Sequence, residues 1–357
     1  MPSRRVFLLG SLALAAPARA AVEYPPVVPR PLAFPRDHGA HPDFRTEWWY
    51  LTGWLDAPGA ASLGFQVTFF RTRTDVDPAN PSAFAAKQLV IAHAALADPG
   101  HGSLLHDERI ARTGFGVVGA SEQDTDVRLD AWRFVRQPGG DYRCALPARG
   151  FSLAFTARPT QPLLLQGNAG YSRKGPAPAQ ASYYYSQPQL DVRAELTRDG
   201  RTLSVSGRGW LDHEWSSTLL AADAAGWDWV GMNLDDGTAL TAFQIRRQGA
   251  AGEASYGYAS LRPAGGATRT YRPDEVRFVR RAEWTSPRTR ATWPVAQELR
   301  IGDRTFVTRP LMNDQELDSR MTTGAVYWEG ASELVEGERR VGRGYLEMTG
   351  YVAPIRL

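Results

Sequence analysis

From Glu47 onward, apolar and polar residues alternate with a period of two along most of the chain. The alternation runs from Glu47 to Leu55, Leu63 to Arg71, Leu89 to Ala97, Trp132 to Phe134, Phe151 to Ala157, Leu203 to Trp215, Trp227 to Leu234, Ala239 to Arg246, Val326 to Leu334 and Gly344 to Tyr351. An extended backbone sends successive side chains to opposite faces, so each run predicts a strand with one face buried. Turn sequences part the runs, among them Asp56-Ala57-Pro58-Gly59, Arg198-Asp199-Gly200 and Asp235-Asp236-Gly237. No long stretch carries the 3.6-residue period of a helix, so the chain is expected to be all-β and built of antiparallel meanders. Residues 21–40 contain Pro25, Pro26, Pro29, Pro31 and Pro35 and predict an extended, peripheral leader.

Two segments recur in the same order. Trp48-Trp49-Tyr50 through Leu55-Asp56 to Phe65-Gln66 is matched by Trp227-Asp228-Trp229 through Leu234-Asp235 to Phe243-Gln244. Gly207-Arg208-Gly209-Trp210-Leu211-Asp212 is then matched by Gly342-Arg343-Gly344-Tyr345-Leu346-Glu347. The repeat predicts two units, residues 41–217 and 218–357, each opened by a Trp-rich hairpin and closed by a Gly-Arg-Gly strand.

Composition adds the means of holding such units together. With 11 Trp, 13 Tyr and 14 Phe in 357 residues, the chain has ample apolar surface for two cores. Three of its 41 basic residues (Arg4, Arg5 and Arg19) fall in residues 1–20, which hold no acid, and the 38 that remain match the 38 acidic ones. The bulk charge therefore calls for neither nucleic acid nor an anionic membrane as partner. Arg4-Arg5, the apolar run Val6 to Ala16 and the small-x-small triplet Ala18-Arg19-Ala20 read as a twin-arginine signal peptide cleaved after Ala20. The mature protein is thus expected to be periplasmic or extracellular, a client of the twin-arginine export machinery. No apolar run is long enough for a transmembrane helix. The single Cys144 leaves no intrachain disulfide to form.

The densest chemistry lies between Trp210 and Trp215. On a regular strand Trp210, Asp212 and Glu214 share one face, and Leu211, His213 and Trp215 the other. Aromatic walls that exclude water are how a carboxyl or imidazole acquires a shifted pKa, which makes Asp212, His213 and Glu214 the candidate catalytic group. A strand emerging at a domain junction, with His213 fixing a loop and the acids facing Arg208 or water, is the plain structural alternative. Glu47-Trp48-Trp49-Tyr50 has the same character, with Glu47 and Trp49 on one face and Trp48 and Tyr50 on the other. Core packing explains its rings but not Glu47. His93 sits mid-strand among small apolar residues, where a structural donor is more usual than a catalyst. Gln166 to Gly175 reads as a long loop delivering the tyrosine-rich strand that contains Tyr184. Gly114 to Gly119 fits a dinucleotide-binding spacing but no helix follows it. Six scattered histidines and one cysteine predict no metal site, and no cofactor motif is present.

Glu47-Trp48-Trp49-Tyr50, Gln166 to Gly175, Ala181-Ser182-Tyr183-Tyr184-Tyr185-Ser186 and Trp210 to Ser217 together resemble the two-domain lipocalin-like family of AttH-type proteins and carotenoid 1,2-hydratases (hydroxyneurosporene synthases). The resemblance runs over nearly the whole mature chain and implies two consecutive lipocalin-like antiparallel β-barrel domains. It also implies a hydrophobic small-molecule ligand, lipid or isoprenoid-like, and a cofactor-independent hydro-lyase reaction. Hydrating a trisubstituted alkene needs a protonated acid, π faces beside the resulting cation, and a base for the water. Asp212 or Glu214 is expected to be the acid and His213 its partner or base, with Trp215, Trp227, Trp229 and Tyr50 as the wall. Glu47, Trp48, His93, Tyr184 and Asp228 complete the expected ligand contacts. Asp212 and His213 can serve one site only if a bulge or junction twists their strand. Two other classes fit the same residues: a non-catalytic lipid carrier or chaperone, and a carbohydrate-active protein with exposed Trp and paired carboxylates.

Overall fold

The computed structural model describes residues 22–356 apart from 58, 60 and 250–253, so the expected signal peptide lies outside the described residues. Every alternating run above lies within a strand except the last, whose strand ends at Thr349 rather than Tyr351, and the described residues contain no α-helix, only 3-10 turns at Arg36–His38 and Pro273–Glu275. The strands form two antiparallel sheets.

The first sheet runs, neighbour to neighbour, through Leu105–Arg112, Gln88–Ala97, Leu63–Arg73, Thr46–Asp56, Arg201–Ser216, Ala181–Arg198, Phe151–Arg158, Tyr142–Ala148, Trp132–Arg136, Asp126–Leu129 and Val118–Ala120. Its ends come back together, Gln88–Ala97 lying against Val118–Ala120 and Asp126–Leu129, so the sheet nearly closes into a barrel. The predicted loop after Gln166 contributes the short strand Tyr171–Arg173, which pairs onto Ala181–Arg198. The second sheet runs through Arg269–Tyr271, Ala254–Arg262, Ala239–Arg247, Ala224–Leu234, Arg339–Thr349, Ala325–Glu336, Arg304–Pro310, Thr292–Ile301 and Val276–Thr285. It too curls, bringing Val276–Thr285 against Ala239–Arg247 and Ala254–Arg262.

The sequence repeat is a repeat of strand register. Leu55 faces Gly207 and Tyr50 faces Asp212 in the first sheet; Leu234 faces Gly342 and Trp229 faces Glu347 in the second. The glycines recur because the facing backbone is too close for a side chain. A Cβ on Gly207 would fall 1.7 Å from the Trp54 carbonyl oxygen, and one on Gly342 would fall 2.6 Å from that of Asn233.

Both barrel interiors are filled. Leu51, Phe65, Phe69, Trp132 and Leu211 pack the first, and Met232, Leu240, Trp293, Phe306 and Trp328 the second. Each such side chain contributes roughly 1.5–3 kcal/mol on burial. A third apolar layer, including Tyr50, Trp54, Trp210, Trp229, Phe243 and Tyr345, lies between the two sheets. The cavity beside Asp212 lies in this layer, between the barrels rather than inside one.

Candidate active site

Pairing between Thr46–Asp56 and Ser206–Ser216 is unbroken, and the nearest irregularity falls in the neighbouring strand between Gln187 and Leu190. With no bulge to rotate it, the strand keeps strict alternation, and the candidate triplet is divided. Asp212 and Glu214 turn toward the second sheet, whereas His213 turns with Glu47 and Trp49 toward the end of the first barrel. The expectation that Asp212 and His213 serve one site is not met, for that geometric reason.

On the Asp212 side lies a cavity of about 70 Å³ between the sheets. At roughly 10–15 Å³ per water it has room for a handful of water molecules. Four carboxyl groups line it: Asp212 and Glu214 from the first sheet, Glu329 and Glu347 from the second. Rings of Trp48, Tyr50, Phe70, Trp227, Trp229 and Phe243 enclose them. Trp48, Phe70 and Trp227 are partly exposed and mark its mouth.

Asp212 is held from three directions. Tyr184 donates to Oδ2 at 2.6 Å, and Ser186 and the Trp210 indole donate to Oδ1 at 2.6 and 2.8 Å. Burial pushes its pKa up and these hydrogen bonds pull it back, leaving it at about 7. Tyr184 in turn accepts from the Trp229 indole at 3.0 Å, which links the first sheet to the second. The one cation among the described lining residues is Lys174, whose Nζ lies 3.0 Å from Glu214 Oε1 and over the rings of Tyr184 and Phe243. Burial lowers its pKa while Glu214 raises it. Across the cavity, the Tyr50 hydroxyl donates to Glu329 Oε2 at 2.6 Å and the Trp227 indole to Glu347 Oε1 at 3.1 Å. Burial pushes both carboxyls up, and for Glu347 the neighbouring Glu329 adds to the effect.

The opposite face of the same strands is sealed. Glu47 is fully buried and accepts from His41 Nδ1 at 2.7 Å, His213 Nε2 at 2.9 Å and Arg71 Nε at 2.8 Å. The other His41 nitrogen meets Asp37 at 3.1 Å, so both ring nitrogens donate to carboxylates and the imidazole is held protonated, its pKa raised by Glu47 and Asp37 against the effect of burial. His41 stacks on Trp215 at 3.7 Å. His213 Nδ1 contacts the Tyr185 hydroxyl at 3.1 Å, and burial lowers the His213 pKa. Asp37 lies in the Pro-rich leader and His41 follows it directly, and together they close this end of the barrel. Donor atoms of His41, Glu47 and His213 lie within 4.8 Å of one another, close enough to share a metal ion, a grouping the sequence reading did not predict. Arg71 already supplies that pocket with positive charge.

The structure therefore gathers Trp48, Tyr50, Asp212, Glu214, Trp227 and Trp229 at the cavity, with Tyr184 directly behind Asp212. Glu47, His213 and Trp215 belong to the sealed end. His93 is screened from the cavity by Phe70 and Tyr327, contacts Thr322 at 3.1 Å, and is kept neutral by burial, its pKa lowered to about 3. Asp228 faces the inside of the second barrel, where Gln244, Arg246 and Tyr351 donate to it. Glu329 and Glu347 were missed as site residues. The repeat carried a signal for one of them, because it aligns Glu347 with Asp212.

Residues 25–351 match the AttH-like family model. The fold is similar to that of a protein assigned as AttH from Nitrosomonas europaea, at 51% identity and a TM-score of 0.86, covering 92% of this chain and 99% of that one. It is also similar to kievitone hydratase from Nectria haematococca (15% identity, TM-score 0.67, covering 90% of this chain and 93% of that one). CghA with Sch210972 shares the fold at 14% identity and a TM-score of 0.53, covering 85% and 88% of the two chains. No curated protein matches the chain.

Proposed function

The chain belongs to the AttH-like family, and from that premise we propose that its inter-sheet cavity takes up an apolar small molecule and adds water across a carbon–carbon double bond, with Asp212 as the proton donor. The observation that carries this reading is a carboxyl group buried among aromatic rings and balanced near neutral pH, in a cavity with four carboxyls and one ammonium. A general acid works best when its pKa lies near the operating pH. The fold shared with kievitone hydratase supports the same class of reaction. Protonation of the less substituted carbon by Asp212 forms a C–H bond and a tertiary cation. The π faces of Trp48, Trp227 and Trp229 stabilise that cation, and water closes the C–O bond. The active form of Asp212 is the protonated one, so turnover falls as pH rises through about 7. The proposal extends to the address: the protein is exported through the twin-arginine pathway, with Ala21 as its first mature residue.

The test is incubation in oxygen-18 water with trisubstituted alkenes ranging from 2-methyl-2-pentene to squalene. Labelled tertiary alcohol is the expected product, and Asp212→Asn slows its formation by about 100-fold or more. Absence of labelled alcohol throughout overturns the reading. Organic extracts that return an unchanged apolar molecule would then identify a carrier.

A further inference from the structure

Glu329 and Glu347 stand directly opposite one another on neighbouring strands of the second sheet. That placement sets cross-strand Cβ atoms roughly 4.5–5.5 Å apart. They occupy the register positions that Ser186 and Asp212 hold in the first sheet. Glu329 is only 4% exposed and lines the cavity; one of its oxygens accepts from Tyr50 and the other accepts no hydrogen bond among the described residues. The groups facing the pair are Tyr50, Asp212 and Glu214 from the first sheet and Trp227, Tyr327 and Tyr345 from the second. None is a cation, and Lys174, the cation of the cavity, is engaged by Glu214. Two adjacent carboxylates in such a setting do not both ionise, and their protons leave in separate steps that belong to the pair.

We propose that Glu329 and Glu347 share a single proton, and that their remaining negative charge is the base that takes a proton from the adding water, across the cavity from Asp212. This rests on the hydration reading above. The step balances: Asp212 loses its proton to carbon, the water oxygen bonds to the cationic carbon, and one water proton passes to the pair. The second water proton stays on the product hydroxyl, and proton return from the pair to Asp212 restores the site.

Infrared titration of the Asp212→Asn protein tests the shared proton without any substrate. The pair is expected to bind its two protons in separate steps, one above neutral pH and the other at lower pH, whereas Asp212→Asn combined with Glu329→Gln or Glu347→Gln gives one step. A pair that takes both protons in one step, or holds none at about pH 8, overturns the proposal. The basic role is read with 2-methyl-2-pentene in D2O. Glu329→Gln and Glu347→Gln retain deuterium exchange into the alkene, the step Asp212 performs, and lose alcohol formation by about 100-fold. Equal loss of exchange and addition, or loss of neither, overturns it. If native protein neither exchanges nor hydrates the alkene, the hydration reading and the basic role fall together, while the titration still decides whether the proton is shared.

Discussion

The two faces of the strands around Asp212 carry similar side chains and put them to opposite use. At the sealed end of the first barrel, Glu47 and Asp37 are matched by Arg71, Arg30 and the His41 imidazolium, and each close contact joins opposite charges. In the inter-sheet cavity, four carboxyls face one ammonium. Matched charges hold carboxylates ionised: His41, Arg71 and His213 keep the Glu47 carboxyl well below the usual carboxylate range in spite of burial. A shortage of positive charge does the reverse and leaves protons bound at a pH where they can be given away. Burial alone does not distinguish a structural charge from a chemical one; the count of counter-charges does.

The largest effect is expected where matching is broken. Glu47→Gln leaves the Arg71 and His41 cations buried without their carboxylate and should cost about 3–5 kcal/mol, measured as a shift in urea unfolding. A loss below about 1 kcal/mol would show that the sealed end does not depend on charge pairing.

Asp212→Asn should act in the opposite sense. The Asp212 pKa is about 7 when folded against 3.8 as its ordinary value, so in that window the folded state holds a proton the unfolded chain has released. Its contribution to stability is therefore complete below about pH 4 and declines as pH rises toward about 7. Relative to the native protein, the variant should gain stability by up to about 1.4 kcal/mol per pH unit across that range. A difference independent of pH would remove Asp212 from the groups that store a proton.

Tyr184→Phe is expected to be milder, costing about 1.5–3 kcal/mol for a hydrogen bond to a charged group. It deletes one of the three donors on Asp212 and should move the fall in turnover to higher pH. A profile shifted to lower pH would contradict the balance between burial and hydrogen bonding. Smallest of all is Arg30→Ala, at about 0–1 kcal/mol by chemical denaturation, because Arg30 has 35% of its side chain exposed where it pairs with Asp37.

Much of this arrangement was legible beforehand. Period-two alternation located the strands, because one face of each is buried and the other is not. The division of Asp212 from His213 also followed from alternation, and only the presence or absence of a bulge was open. The pairing of sheets could not be read in the same way. Glu329 reaches Tyr50 across 279 residues, and no local pattern encodes a contact formed by packing one barrel against another. Asp228 misled for a related reason: it lies in a Trp-rich strand, but one residue out of phase with the cavity, so its side chain enters the second barrel. His93 lies on the outward face of its strand with the candidate residues, yet Phe70 and Tyr327 stand in front of it.

The leader that closes the first barrel has a consequence for the order of assembly. Asp37 and His41 emerge early in synthesis, while His213, which meets the same Glu47, lies 166 residues beyond that glutamate. The stopper is made long before the vessel it fits, and its charges are expected to stay hydrated until the Arg201–Ser216 strand arrives. Contacts of such sequence separation slow folding, so closure of this end is expected among the last events as the polypeptide matures.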